Sequence, residues 1–150
     1  MDSFCQIWIH YIFATKGRKP YFEDTQIRKE AHTYMANTAW TNGSYVKNIG
    51  GVADHVHLLC SLPKTLTIGG LIKEIKRTSS DWIKGRFPSL QNFYWQKGYG
   101  AFSVSQSGLR VVGKYIENQE AHHQRQNFET EFREFLKKYE INYEERHLKN

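Results

Sequence analysis

Two short runs in this 150-residue chain hold residue types that could do chemistry together. The first is Asp54-His55-Val56-His57-Leu58-Leu59. On a strand, alternate side chains point to opposite faces, so His55 and His57 point the same way with Cα atoms about 7 Å apart. Two neutral imidazoles held like this form half of a divalent-metal site. The same spacing also suits a pair of surface histidines. The second run is Lys114-Tyr115-Ile116-Glu117-Asn118-Gln119. On a helix, Tyr115 and Gln119 share a face about 6 Å apart along the axis. A tyrosine hydroxyl can attack phosphorus and leave a covalent phosphotyrosine. Gln119 offers a carbonyl oxygen as a neutral metal ligand. The plainer alternative here is an amphipathic helix with a tyrosine at its boundary.

The surrounding pattern supplies elements to carry these runs. Cys5, Ile7, Ile9, Tyr11 and Phe13 alternate, which predicts a strand over 5–13, ended by the basic turn Lys16-Gly17-Arg18-Lys19-Pro20. Apolar residues recur at helical spacing from Thr25 to Trp40, and Asn42-Gly43 stops that helix. Strands follow over 45–49 and 52–62, with Gly50-Gly51 as the expected hairpin turn. A helix over about 68–84 has Leu71, Ile72, Ile75, Trp82 and Ile83 on its apolar side. Short strand pieces at 93–96 and 101–104 precede a helix over 108–123 and a last one over 129–139. The order predicts one domain over 1–150, of α+β class: an antiparallel sheet with helices packed on it.

Composition narrows the function classes. Apolar residues make 39% and aromatics 15%, too many for a disordered chain. No apolar run reaches the roughly 20 residues of a membrane helix. Cys5 and Cys60 cannot build a disulfide framework and are expected as buried, reduced thiols. With no basic and apolar leader at the N-terminus, they point to the cytoplasm. The net charge is +6, and the segment from Lys64 to Lys97 carries +5 of it. Lys73, Lys76, Arg77 and Lys84 cluster on one side of the predicted helix. Such a block suits a polyanion, and equally a solvated helix face.

Taken together, these runs resemble the single-tyrosine HUH transposases of the insertion sequence 200/605 group. The likeness covers nearly the whole chain. It includes Trp8 to Lys16 with Arg18-Lys19-Pro20, the His55-Val56-His57 motif, Trp95 to Val104, and Tyr115 to Glu120. It implies a ferredoxin-like sheet of the HUH type. It also implies Tyr115 as nucleophile, with His55, His57 and Gln119 holding Mg²⁺ or Mn²⁺. The substrate would be single-stranded DNA hairpins at element ends, cleaved and rejoined through a 5′-phosphotyrosine. Lys16, Arg18, Lys19, Lys73, Lys76, Arg77 and Lys84 would contact phosphates. The group further implies a homodimer in which each tyrosine helix serves the partner's site. Two other readings stay open: a domesticated relative processing repeated chromosomal hairpins, and a DNA-binding module with lapsed catalysis. His122 and His123 follow Gln119 by three and four positions, so either could approach the metal, although a surface role is the favoured expectation, and His10 is expected in a structural or DNA-facing role. No general base for Tyr115 is evident in the sequence.

Overall fold

A computed structural model describes residues 1–149. Its strands are β1 (Trp8–Ala14), β2 (Val46–Gly51), β3 (His55–Ser61) and β4 (Gly100–Val104). They form one sheet in the order β2-β3-β1-β4, every neighbour antiparallel. Helices α1 (Thr25–Thr41) and α2 (Ile68–Arg86) connect the strands. Each α helix thus links two strands that lie with a third between them, the split βαβ arrangement of ferredoxin-like folds. Helices α3 (Leu109–Glu117), α4 (Gln119–His123) and α5 (Phe128–Lys138) follow β4.

Capping side chains fix where the longer helices begin. Asp24 accepts from the amides of Gln26 and Ile27 at α1, and Thr67 accepts from Gly70 at α2. Asn127 accepts from Thr130 at the start of α5. Each satisfies an amide that the first helical turn leaves without a partner.

The sheet is covered on both faces. Ile9, Tyr11, Phe13, Val56, Leu58 and Cys60 face α1 and α2, where they pack against Met35, Leu71, Ile72 and Ile75. The opposite face carries His10, Ile12, His55, His57 and Leu59. Leu109 and Ile116 of α3 pack there on Trp8 and Leu59. Leu136 of α5 packs on Ile12 and Phe102. In register, Ile12 stands opposite His57 and Ala14 opposite His55.

Four expectations need correction. β1 starts at Trp8, leaving Cys5 exposed, although Cys60 is buried. Gly50 and Gly51 are not a turn but the end of β2. Glycine is required at Gly50 because a Cβ there would come within 2.5 Å of the Ile116 carbonyl oxygen. α3 therefore lies directly against the strand. The piece at 93–96 forms only an isolated bridge, Thr15 to Trp95. Finally, the helix over 108–123 breaks at Asn118, whose φ and ψ are −97° and 19°.

Candidate metal and tyrosine centre

β3 turns His55 and His57 to the face opposite the apolar core, and both are fully buried. Each has its Nδ1 held by a neighbour. His55 Nδ1 lies 2.7 Å from Asp54 Oδ1, and His57 Nδ1 lies 2.8 Å from His10 Nε2. Both Nε2 atoms consequently face the same point. Fixing one imidazole nitrogen so that the other is presented is how metal-binding histidines are oriented. His10 is thus a structural support beneath His57, buried on the neighbouring strand.

Helices on that face bring five more groups. Gln119 Oε1 lies 3.2 Å from His55 Nε2 despite the break at Asn118. The carboxylate of Glu131, from the first turn of α5, occupies the middle. Its Oε1 lies 3.0 Å from His57 Nε2, 3.3 Å from His55 Nε2 and 3.1 Å from His123 Nε2. Its Oε2 accepts from Gln119 Nε2 at 3.1 Å and from the Tyr115 hydroxyl. Tyr115 and His57 have ring centroids 5.7 Å apart, and His122 Nε2 stands 3.4 Å from the phenol oxygen.

The charges follow from this packing. Burial opposes the charged form of His55, but bonds to Asp54 and Glu131 outweigh it and lift its pKa to about 9. Burial dominates at His57 and, with the charges of His55 and His123 adding to it, lowers the pKa to about 4 despite the bond to Glu131. At Glu131, burial favours the neutral acid. Close contact with the imidazoles of His123, His55 and His57 overcomes it and holds the carboxyl well below its usual range. Burial first, then the bond to and charge of Glu131, push the Tyr115 phenol up. An anion beside the phenol disfavours phenolate, whereas a bound cation would favour it. His55, His57, His123 and Glu131 offer donor atoms all within 4.8 Å of one another. Three imidazole nitrogens and a carboxylate oxygen converging in a buried space fit a divalent cation.

The profile described as transposase, IS200 like, matches residues 3–119. The chain belongs to the IS200-like transposase family. Solved structures agree. A candidate transposase from Deinococcus radiodurans R1 superposes with a TM-score of 0.65 at 25% identity, covering 79% of this chain and 95% of that one. A REP-associated tyrosine transposase bound to a REP hairpin superposes at 0.60 with 14% identity, covering 82% and 72%. A search of curated proteins finds no match.

As an IS200-like transposase, the chain brings His55, His57, Tyr115 and Gln119 to one place. The basic residues are spread more widely. Lys73 and Arg77 are exposed on α2, and Arg77 pairs with Glu74 at 2.6 Å. Lys76 is half-buried and donates to the carbonyls of Gln96 and Gly98, so it fastens α2 to the segment before β4. Burial lowers its pKa to about 8. Lys16 and Lys84 lie over the Tyr94 ring, 5.7 and 4.1 Å from its centroid. Arg18 pairs with Glu129 of α5 at 2.6 Å, while Lys19 is exposed. Among the described residues, no helix is long and apolar enough to cross a membrane.

Sequence reasoning missed Glu131 and misplaced His123. A signal for Glu131 exists. It falls on the stripe Phe128, Phe132, Phe135 and Leu136 of an amphipathic helix, where a carboxylate has no reason to be buried without partners. For His123 the signal is its place four residues after Gln119 on the same short helix, which puts both on one face.

Proposed function

We propose that this transposase cleaves and rejoins single-stranded DNA at hairpin ends through a 5′-phosphotyrosine on Tyr115. The observation that carries the reading is the meeting of the Tyr115 hydroxyl and the His55–His57 pair around one buried carboxylate. A hairpin substrate is supported by the REP hairpin held by a structure of the same fold.

His55, His57 and Gln119 would hold Mg²⁺ or Mn²⁺, which when bound polarises the scissile phosphate and stabilises charge on its oxygens. The chain's own residues do the rest. α3 presents the phenol from the open side of the site, where a groove between α4 and α5 is lined by Tyr115, His122, Arg125 and Asn127. The phenol oxygen bonds to phosphorus as the bond from phosphorus to the 3′ oxygen breaks. The phenol proton leaves and the departing 3′ oxygen gains one. The phosphodiester's energy stays in the protein–DNA link, so a 3′-hydroxyl can reseal the strand by the reverse step. The basic turn of Lys16, Arg18 and Lys19, with Lys73, Arg77 and Lys84 of α2, supplies the proposed phosphate contacts, while Lys76 is committed to the Gln96 and Gly98 carbonyls.

The resemblance implied a homodimer with exchanged tyrosine helices. In this chain α3 packs on Trp8 and Leu59 of its own sheet, so one subunit assembles the complete constellation. Dimeric exchange would keep the same chemistry across a subunit boundary.

Labelled hairpin DNA incubated with the protein and Mn²⁺ or Mg²⁺ tests the reading. An adduct that survives SDS is expected from the parent and not from Tyr115→Phe, which still binds. Adduct from Tyr115→Phe would remove that residue from the mechanism. His57→Ala should lose cleavage sharply. Mixing Tyr115→Phe with His57→Ala restores the adduct only if helices exchange between subunits.

A further inference from the structure

The profile match ends at residue 119, yet two further donors enter the cluster from beyond it. His123 comes from α4 and Glu131 from α5. The geometry points to a centre in which His123 and Glu131 are metal ligands alongside His55, His57 and Gln119, giving a three-imidazole, one-carboxylate site that selects Mn²⁺ over Mg²⁺. The inference rests on reading the His55–His57 pair as a metal site.

Three observations carry it. First, His123 is oriented as the other two imidazoles are. Its Nδ1 lies 2.6 Å from the Gln126 carbonyl oxygen, to which it donates, and its Nε2 is left facing inward. Second, that Nε2 is buried and, among the described residues, has no aligned hydrogen-bond partner, although Glu131 Oε1 is 3.1 Å away. A buried polar nitrogen held without a partner is costly unless something else fills the position. Third, Glu131 Oε1 stands at neighbouring-ligand distance from each of the three imidazoles, and the four donors all lie within 4.8 Å of one another. Oε1 of Glu131 lies 3.0, 3.1 and 3.3 Å from the three Nε2 atoms. An ion bound at about 2.1 Å keeps neighbouring ligands about 3.0–3.4 Å apart.

The ligand chemistry sets the preference. Mg²⁺ favours oxygen ligands and water, whereas imidazole suits later divalent ions. With Gln119 included, five donors would leave one octahedral position for a phosphate oxygen. Glu131 would reach the ion through Oε1 while Oε2 keeps its bond to the Tyr115 hydroxyl, linking ion and nucleophile through one side chain.

Mn²⁺ itself is the probe. Electron spin-echo spectroscopy of the Mn²⁺-loaded protein should show three coupled imidazole nitrogens, falling to two in His123→Gln. By calorimetry, His123→Gln and Glu131→Gln should each weaken Mn²⁺ binding at least about tenfold while keeping the parent's circular dichroism. About a hundredfold excess of Mg²⁺ should leave Mn²⁺ bound. Two nitrogens in the parent, with unchanged affinity in both variants, would overturn the inference and leave the His55–His57 site standing, provided that His55→Ala abolishes binding. Equal binding by the parent and His55→Ala, or none by the parent, would overturn both.

Discussion

The two faces of the sheet are buried alike and built from opposite chemistry. Along β3, Val56, Leu58 and Cys60 meet hydrocarbon, whereas His55 and His57, one residue out of phase, meet a carboxylate, an amide and other imidazoles. Burial alone therefore does not distinguish core from site. The first face gains stability from removing apolar surface from water, about 25 cal/mol per Å². The second must satisfy every polar group it buries, and a buried ion network of this kind adds little net stability over apolar packing.

The sharpest break between the faces is a paired substitution. Tyr115→Phe should lower hairpin cleavage by at least about 10⁴-fold and change stability by no more than about 1 kcal/mol. Leu58→Ala, on β3 beside His57 but turned to the other face, should cost about 2–5 kcal/mol through the cavity it leaves. Denaturant unfolding beside gel assays of the covalent adduct reads both. Similar stability losses in the two variants would mean that the polar face also carries the fold.

Histidines sharpen the comparison by pH. His55 is raised by carboxylates, while His32, on α1, is lowered to about 4, chiefly by burial and also by the charge of Arg28. The Nε2 of His32 is buried without a hydrogen-bond partner among the described residues. An imidazole with its folded pKa below the unfolded value of about 6.5 takes up more protons when unfolded between those values. Stability should thus be full above pH 6.5 and fall as pH drops toward 4, by up to about 3 kcal/mol from this group. His32→Leu should flatten that slope in unfolding curves collected across the window. An unchanged slope would place the acid sensitivity elsewhere.

Much of this division was legible in the sequence, and the reasons differ by element. The period-two alternation of Ile9, Tyr11 and Phe13 and of Val56, Leu58 and Cys60 assigns the strands and their inner face directly. His55, His57, Tyr115 and Gln119 were legible as a resemblance, since their spacings recur in a known order. Glu131 was legible only in part: its place on the Phe128, Phe132, Phe135 and Leu136 stripe marks a buried carboxylate, but only the fold shows that His55, His57 and His123 are its partners. The Gly50-Gly51 pair misled because glycine serves both turns and close approach of backbones. Which one applies depends on α3, some sixty residues away.

Gly50 also gives a test of how the two layers are set. Gly50→Ala would force a Cβ against the Ile116 carbonyl and push α3 outward, since the obstruction is backbone rather than a flexible side chain. A loss of about 1–3 kcal/mol is expected, together with a slower adduct rate, because Tyr115 precedes Ile116 on the displaced turn. A stability loss with an unchanged rate would show that the phenol reaches its target independently of the seat of α3 on β2.

The smallest effect concerns the basic residues around Tyr94. Lys16 and Lys84 approach the Tyr94 ring from the turn after β1 and from α2, so the two charges gather around one exposed ring. Each phosphate contact contributes a released counterion, so Lys16→Ala and Lys84→Ala should each reduce the salt slope of hairpin binding by about 1 without altering sequence preference. Lys76→Ala should instead lower the melting temperature and leave that slope unchanged, because its ammonium is committed to the Gln96 and Gly98 carbonyls. Fluorescence anisotropy at several salt concentrations separates the two behaviours. A slope change for Lys76→Ala equal to that of Lys84→Ala would mean that the ammonium leaves those carbonyls for DNA, and the basic surface would then extend from the Tyr94 ring across the layer covering the apolar face.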